Sequence, residues 1–369
     1  MENSRALTDC RTRTEQRQLR KKMHRARVMT MAAATAALAV MAAVEVSYLK
    51  SGVIEINSSE YTVFSGEEEN RAVVAEALSM AKDNSDMMIN IEVPETCPVN
   101  MTAFSPIAIV YDKTDECVLY AKNETEKCYP ASTAKLMTAA VTLDLAPKGY
   151  SFIAGNELDL LPEGASLARI NKCYSLDTEQ LIDGIILKGG SDVSYTAAAN
   201  VGRLMSDTDD ISSEESLKKF VDMMNNTARN IGADSTHFTN PDGQFSENNY
   251  TTAKDMVRIA VYASEHEEIM RSASKEKTNG KLASGQVYDW VNTNKLVLSE
   301  SNDYYEYATG LKTGMTDGTG YCIAASAVRD GHELICIVMN SDSDEHRMSD
   351  VKNLFDLSFE YLGSHSEEE

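Results

Sequence analysis

Strand-forming runs at the two ends of a long helical interior constrain this chain most. Ile107–Tyr111 and Val118–Ala121 are apolar and β-rich, and Asp112-Lys113-Thr114-Asp115 joins them as a hairpin. Near the other end, Tyr321–Val328 and Glu333–Met339 flank Arg329-Asp330-Gly331-His332, a second hairpin. Between them Pro130 introduces a helix from Ser132 to about Leu145. Helical periodicity follows at Thr178–Leu187, Val193–Leu204, Glu214–Ile231 and Ala253–Ala263, with Gly232 as a helix stop. A last helix is expected from about Met348 to Leu362. Strands, then helices, then strands and a helix specify an α+β fold, with one sheet assembled from both ends of the domain.

Hydrophobic residues make up 43% of the 369, enough for a substantial core. The net charge of −22 is unevenly spread: residues 1–27 hold nine Arg and Lys against three acids, leaving the remainder at −28. So acidic a body repels phosphates, which excludes nucleic acid as a partner. The basic arm, 1–27, reads as cytoplasmic. Residues 28–48, built on the uncharged run Val28–Val44, read as a signal peptide or membrane anchor. Val40-Met41-Ala42 offers small residues for cleavage, the run is also long enough to span a bilayer, and a buried soluble helix is the plainer alternative. Residues 49–95 read as an acidic linker with one helix between Glu67 and Lys82; 96–363 form the folded domain, and 364–369 a disordered tail. The seven cysteines fit no zinc spacing, and Cys322 and Cys336, on strands, are expected to be buried free thiols.

Two short motifs carry chemistry. Ser132-Thr133-Ala134-Lys135 stands at the mouth of a helix, and Lys312-Thr313-Gly314 is expected to open a strand. Lys135 lies one helical turn past Ser132, within reach of its hydroxyl. A serine needs a base. A lysine serves only if burial and a neighbouring positive charge, which Lys312 could supply, lower its pKa by roughly 3 units. The helix start also offers free backbone N–H groups, that of Ser132 among them, for a developing oxyanion.

In this order, S-x-x-K and K-T-G are the signature of serine enzymes acylated by penicillin. From about Ser105 to Leu362 the chain resembles the D-alanyl-D-alanine carboxypeptidases, the low-molecular-weight penicillin-binding proteins that trim bacterial peptidoglycan. Ser105–Asp112, Tyr129–Ala139, Leu161–Ser166, Thr236–Gly243 and Thr309–Asp317 with Gly320-Tyr321-Cys322 carry the likeness. The resemblance implies a penicillin-binding transpeptidase/β-lactamase-like fold: a largely antiparallel sheet flanked by helices, with an all-helical subregion. It implies Ser132 as the acylated nucleophile, Lys135 as its base, and Lys312, Thr313 and Gly314 as the binding strand for the substrate carboxylate. The backbone N–H groups of Ser132 and Met315 would form the oxyanion hole. Arg347 either assists carboxylate binding or is an exposed surface arginine, the reading its sequence context favours. No metal or cofactor is implied. The implied partners are peptidoglycan stem peptides, β-lactams as covalent inhibitors, and the cytoplasmic membrane through the N-terminal segment, with the catalytic part on the extracytoplasmic face or secreted.

One departure stands out. Where the family has Ser-x-Asn in a middle motif, this chain reads Gly189-Gly190-Ser191-Asp192, so Gly189 replaces the serine and Ser191 the asparagine. Losing a positioned proton-transfer group costs ~10²–10⁴ in rate. Either the two glycines let the Ser191 hydroxyl take over, or the protein binds peptidoglycan without efficient turnover. No E-x-x-L-N loop follows Asp192, so β-lactamase activity is not expected. The family's C-terminal β-domain and anchor helix are expected to be absent.

Overall fold

A computed structural model describes residue 75 and residues 87–206 and 211–366. A five-stranded antiparallel sheet, ordered β2-β1-β9-β8-β7, is built from both ends of the domain as expected. Its strands are β1 (Ile107–Asp112), β2 (Cys117–Lys122), β7 (Ala308–Thr316), β8 (Gly320–Arg329) and β9 (His332–Ser341). The central pair β1–β9 joins the two hairpins, aligning Ile109 with Ile337.

Alternation along the strands sorts their side chains into two cores. Ile107, Ile109 and Tyr111 of β1, with Ile335, Ile337 and Met339 of β9, face the helical subregion. Ala108 and Val110, with Leu334, Cys336 and Val338, face the C-terminal helix α7 (Asp344–Ser366) through Met348, Val351, Leu354 and Phe355. Because both faces are covered, the runs read as continuously apolar.

The helical subregion contains α1 (Lys135–Leu145), α2 (Thr178–Ile182), α3 (Ser191–Leu204), α4 (Ser213–Asn230), α5 (Ala253–Ser264) and α6 (Glu267–Ser274). Capping boxes begin α2 at Asp177 and α4 at Ser212, each satisfying two end groups of the chain. The expected helix Thr178–Leu187 changes character halfway: Asp183–Leu187 is a π-turn. That wider turn delivers the chain into Gly189 and the start of α3, a placement typical of functional segments.

Several expectations change. The triplet Lys312-Thr313-Gly314 does not open its strand; β7 begins at Ala308, with a bulge between Ala308 and Gly310 and Leu311 at φ +70°. The small hairpins β3–β4 (Phe152–Ile153, Ser175–Leu176) and β5–β6 (Lys277–Lys281, Val287–Val291) are additions, as is α6. β5 is Lys-Thr-Asn-Gly-Lys, too polar to advertise a strand. The helix α7 continues to Ser366, so the disordered tail does not begin at 364; Ser364 Oγ and His365 Nδ1 both bond the Tyr361 carbonyl. Residues 87–95 belong to the fold rather than to a linker, because Ile91 is buried and the Ile89 N–H donates to Ile231 O. Among the described residues no helix is long and apolar enough to cross a membrane; the expected arm, apolar segment and nearly all of the Glu67–Lys82 helix lie outside them.

Asp350 on α7 is fully buried and accepts the backbone N–H groups of Phe104 (2.9 Å) and Ser105 (2.7 Å), tying the entry to β1 onto the last helix. Hydrogen bonds to a charged group contribute about 1.5–3 kcal/mol each, and two orphaned N–H groups would remain. Asp350→Ala is therefore expected to lose about 3 kcal/mol of stability, read as a lower urea midpoint at unchanged slope.

Candidate active site

Ser132 lies in a 3₁₀ turn, Ala131–Ala134, that runs directly into α1. Lys135, the first residue of α1, is buried with its Nζ 3.0 Å from Ser132 Oγ. The same Nζ donates to the Asp242 carbonyl (2.7 Å) and lies 3.5 Å from Ser191 Oγ. The ammonium is thus held by one carbonyl and two hydroxyls, with Ser132 and Ser191 on a common nitrogen.

The strand β7 is an edge strand, so alternate backbone groups are not engaged by the sheet. Gly314 brings it against Ser132: a Cβ there would stand 2.7 Å from Ser132 N and 2.9 Å from Ala131 Cβ, so any side chain would push the strand away. Lys312 Nζ donates to Thr293 Oγ1 (2.8 Å), and Thr313 Oγ1 to the same oxygen (3.0 Å). Met315 follows, 52% exposed.

Burial lowers the Lys135 pKa, opposed by the negative charges of Asp242 and Asp192. Burial also pulls Lys312 well below the usual lysine range, assisted by the positive charges of Lys135 and Arg347. A positive charge on Lys135 thus disfavours one on Lys312.

The middle segment is pinned from below. The buried Asp192 carboxylate accepts N–H groups from Ala168 (2.8 Å), Ile170 (3.0 Å) and Val193 (3.0 Å), while Ser191 N donates to Ser166 O (2.7 Å). Burial raises the Asp192 pKa and these N–H groups lower it in part. At Gly189, φ is +71° and a Cβ would lie 3.1 Å from Lys312 Nζ. The position where the family's serine was expected therefore faces Lys312, while Ser191 faces Lys135.

Arg347 is the site residue whose expected exposure fails. It is 6% exposed and lies behind β7–β8, donating from Nη1 to Gly314 O (3.0 Å) and Cys322 O (2.8 Å), with Asp344 as ion partner. Two strand carbonyls need a donor there, and a buried guanidinium supplies it. Thr293 and the Asp242 carbonyl are contributors the sequence reading missed. Asp242-Gly243 stood in a recognised segment without a role, and Asn292-Thr293-Asn294 carried no motif. Among the described residues the grouping nearest to a metal site, Asp112, Asp115 and His332, is tied at the hairpin end by a hydrogen bond of 2.7 Å between His332 Nδ1 and Asp112 Oδ2.

A buried lysine on a serine hydroxyl, beside an edge strand carrying a second buried lysine, is the kind of arrangement that can activate a serine for nucleophilic attack. The family model for D-alanyl-D-alanine carboxypeptidase matches residues 95–343, and the chain belongs to that family. It is 30% identical over 257 residues to the D-alanyl-D-alanine carboxypeptidase of Streptomyces sp. (strain K15), covering 65% of this chain and 82% of that one. It is 26% identical over 261 residues to DacF of Bacillus subtilis (strain 168), covering 70% of this chain and spanning 63% of that relative's length. The crystal structure of the Streptomyces K15 DD-transpeptidase superposes with a TM-score of 0.64 at 27% identity, over 70% of this chain and 98% of that one. The expected α+β fold of the penicillin-binding type is the fold observed.

Proposed function

We propose that the protein is an extracytoplasmic serine D,D-carboxypeptidase that removes the terminal D-alanine from peptidoglycan stem peptides. The observation that carries this reading is the buried Lys135 Nζ 3.0 Å from Ser132 Oγ, with Gly314 of β7 seated against Ser132 N. Lys312, Thr313 and Thr293 offer one cation and two hydroxyls to a substrate carboxylate. Its negative charge favours the proton on Lys312, while burial favours a neutral Lys135, the base. Ser132 Oγ attacks the penultimate carbonyl, its proton passes to Lys135, and the N–H groups of Ser132 and Met315 hold the oxyanion. Collapse breaks the peptide bond, and the departing D-alanine amine takes the proton from Lys135 by way of Ser191. Water then cleaves the Ser132 ester. β-Lactams would acylate Ser132 by the same first step. The N-terminal segment would deliver the domain across the membrane, as a signal or an anchor.

Gly189, which brings no hydroxyl, favours the second reading, a peptidoglycan-binding protein with weakened turnover. Ser191→Ala decides between them. The enzyme reading expects D-alanine release from a D-Ala-D-Ala peptide by the unaltered domain and a ~10²–10⁴-fold loss in the variant. An unaltered domain that forms a penicilloyl adduct without releasing D-alanine supports the binding protein instead.

The lysine pair also fixes a pH profile. Acylation requires Lys135 neutral, so the rate falls as pH drops through the acid limb. It requires Lys312 charged, so it falls again on the alkaline side. Both limbs are expected below the ~10.4 of an ordinary lysine. A rate that keeps rising to pH 11 contradicts the assignment.

A further inference from the structure

The Asp192 carboxylate draws in the N–H groups of Ala168 and Ile170, one on each side of Arg169. Arg169 stands between them at φ +66° and is exposed. Trp290 Nε1 donates to Ala168 O (3.1 Å), so the hairpin β5–β6 closes on the same loop. Between loop and hairpin lies a cavity of about 550 Å³, within the usual range for small-molecule sites. Neither Ser132 and Lys135 nor any residue of β7 lines it. Arg169 and Lys188 do, and neither side chain makes a hydrogen bond or ion pair among the described residues. That is against the habit of a chain with net charge −22: Lys113, Arg203, Arg258, Lys275 and Lys352 each meet an acid. Asp289 is the single acid of the lining, so the cavity is net positive.

We propose that this cavity is a second binding site, separate from the acylation site, and that its ligand is an anionic saccharide. The proposal does not depend on the carboxypeptidase reading. Half-buried Tyr174 and Tyr288 line the cavity, and Tyr288 packs on Trp290 with ring centroids 4.4 Å apart. Tyrosine rings that are apolar on one side and wet on the other suit a sugar ring, which has an apolar C–H face and a hydroxylated rim. Asp289 accepts from such hydroxyls, and the Gln286 amide donates to them. The Arg169 guanidinium presents a fork to a carboxylate or phosphate, and Lys188 adds a point charge. A neutral sugar would leave both cations unused. Lys281, the Cα partner of Val287 in the cavity wall, and Lys277, the partner of Val291, carry positive charge on along the exposed face of the hairpin. A chain of charged sugars therefore fits better than a single one.

Trp290 is the sole tryptophan of the chain, so intrinsic fluorescence reports from the cavity wall. The test titrates the protein with galacturonic acid, its trimer, galactose 6-phosphate and galactose, before and after incubation with saturating benzylpenicillin. The charged sugars should change Trp290 emission saturably and galactose should not, with the same affinities once Ser132 is acylated. Arg169→Gln and Lys188→Gln should each weaken binding at least 5-fold, and Lys218→Gln, an exposed lysine outside the cavity, should leave it unchanged; thermal melts confirm that the variants fold. A trimer that binds more tightly than the monomer assigns the anion to a glycan chain, and equal affinity assigns it to a single sugar; either sustains the site. No saturable change with any charged sugar, an equal response to galactose, equal affinities in all three variants, or binding lost on acylation of Ser132 overturns the proposal. If no penicilloyl adduct forms, the catalytic reading fails alone, and the same variants judge the cavity on the unblocked protein.

Discussion

Lys135→Ala is expected to reduce acylation by benzylpenicillin at least ~10³-fold, toward the upper range for loss of a positioned base. The reason is the nitrogen's double engagement, 3.0 Å from Ser132 Oγ and 3.5 Å from Ser191 Oγ. In the proposed mechanism one group takes the Ser132 proton and hands it on, so its removal would disable both transfers. Lys135→Arg should not rescue the rate, because a guanidinium keeps its proton at any working pH. Stopped-flow measurement of acylation, with a thermal melt to confirm folding, reads this directly. A folded Lys135→Ala variant acylating within ten-fold of the unaltered protein would remove Lys135 from the base role.

Gly243→Ala is expected to have the largest effect on structure of any one-carbon change near the site. Its φ is +82°, and a Cβ there would stand 1.7 Å from Ala131 O, a backbone atom that cannot turn aside. Either the 240–245 loop lifts or the 3₁₀ turn bearing Ser132 shifts. A positive φ costs about 1 kcal/mol and overpacking about 1–3 kcal/mol, so a total of roughly 2–4 kcal/mol is expected. At about 2–4 °C per kcal/mol for a domain of this size, the melting temperature should fall by roughly 5–15 °C. Lifting the loop also withdraws the Asp242 carbonyl from Lys135, so acylation should slow even well below the melting point. Calorimetry and acylation kinetics on one preparation test both halves.

The sheet was legible because its strands advertise themselves. Ile107–Tyr111 and Leu334–Met339 are continuously apolar, and each hairpin carries its own turn. The helices α3, α4 and α5 were equally plain from their periodicity; Ser212 and Thr252 cap the starts of α4 and α5, and Gly232 follows α4. What stayed hidden was structure built from polar residues whose partners are distant in sequence. The hairpin β5–β6 is one instance; it pays no visible toll in apolar pattern, yet Trp290 Nε1 donates to Ala168 O and fixes the loop over Asp192. Thr293, just after it, reaches Lys312 nineteen residues on, a contact no local spacing encodes. Arg347 was misread for a related reason: its ligands are the carbonyls of Gly314 and Cys322, and backbone acceptors leave no mark in a sequence. Cys322 and Cys336, read from strand alternation, are indeed free and buried, with burial raising the Cys322 thiol to about 11.

The most direct test of the central claim is intact-mass analysis of the protein after incubation with benzylpenicillin, alongside Ser132→Ala, with D-alanine release from a D-Ala-D-Ala peptide followed in parallel. The account predicts one penicilloyl adduct on the unaltered protein, none on Ser132→Ala, and D-alanine release by the former alone. An unaltered, folded protein that gains no adduct and releases no D-alanine would contradict it, leaving the fold of this family without its chemistry.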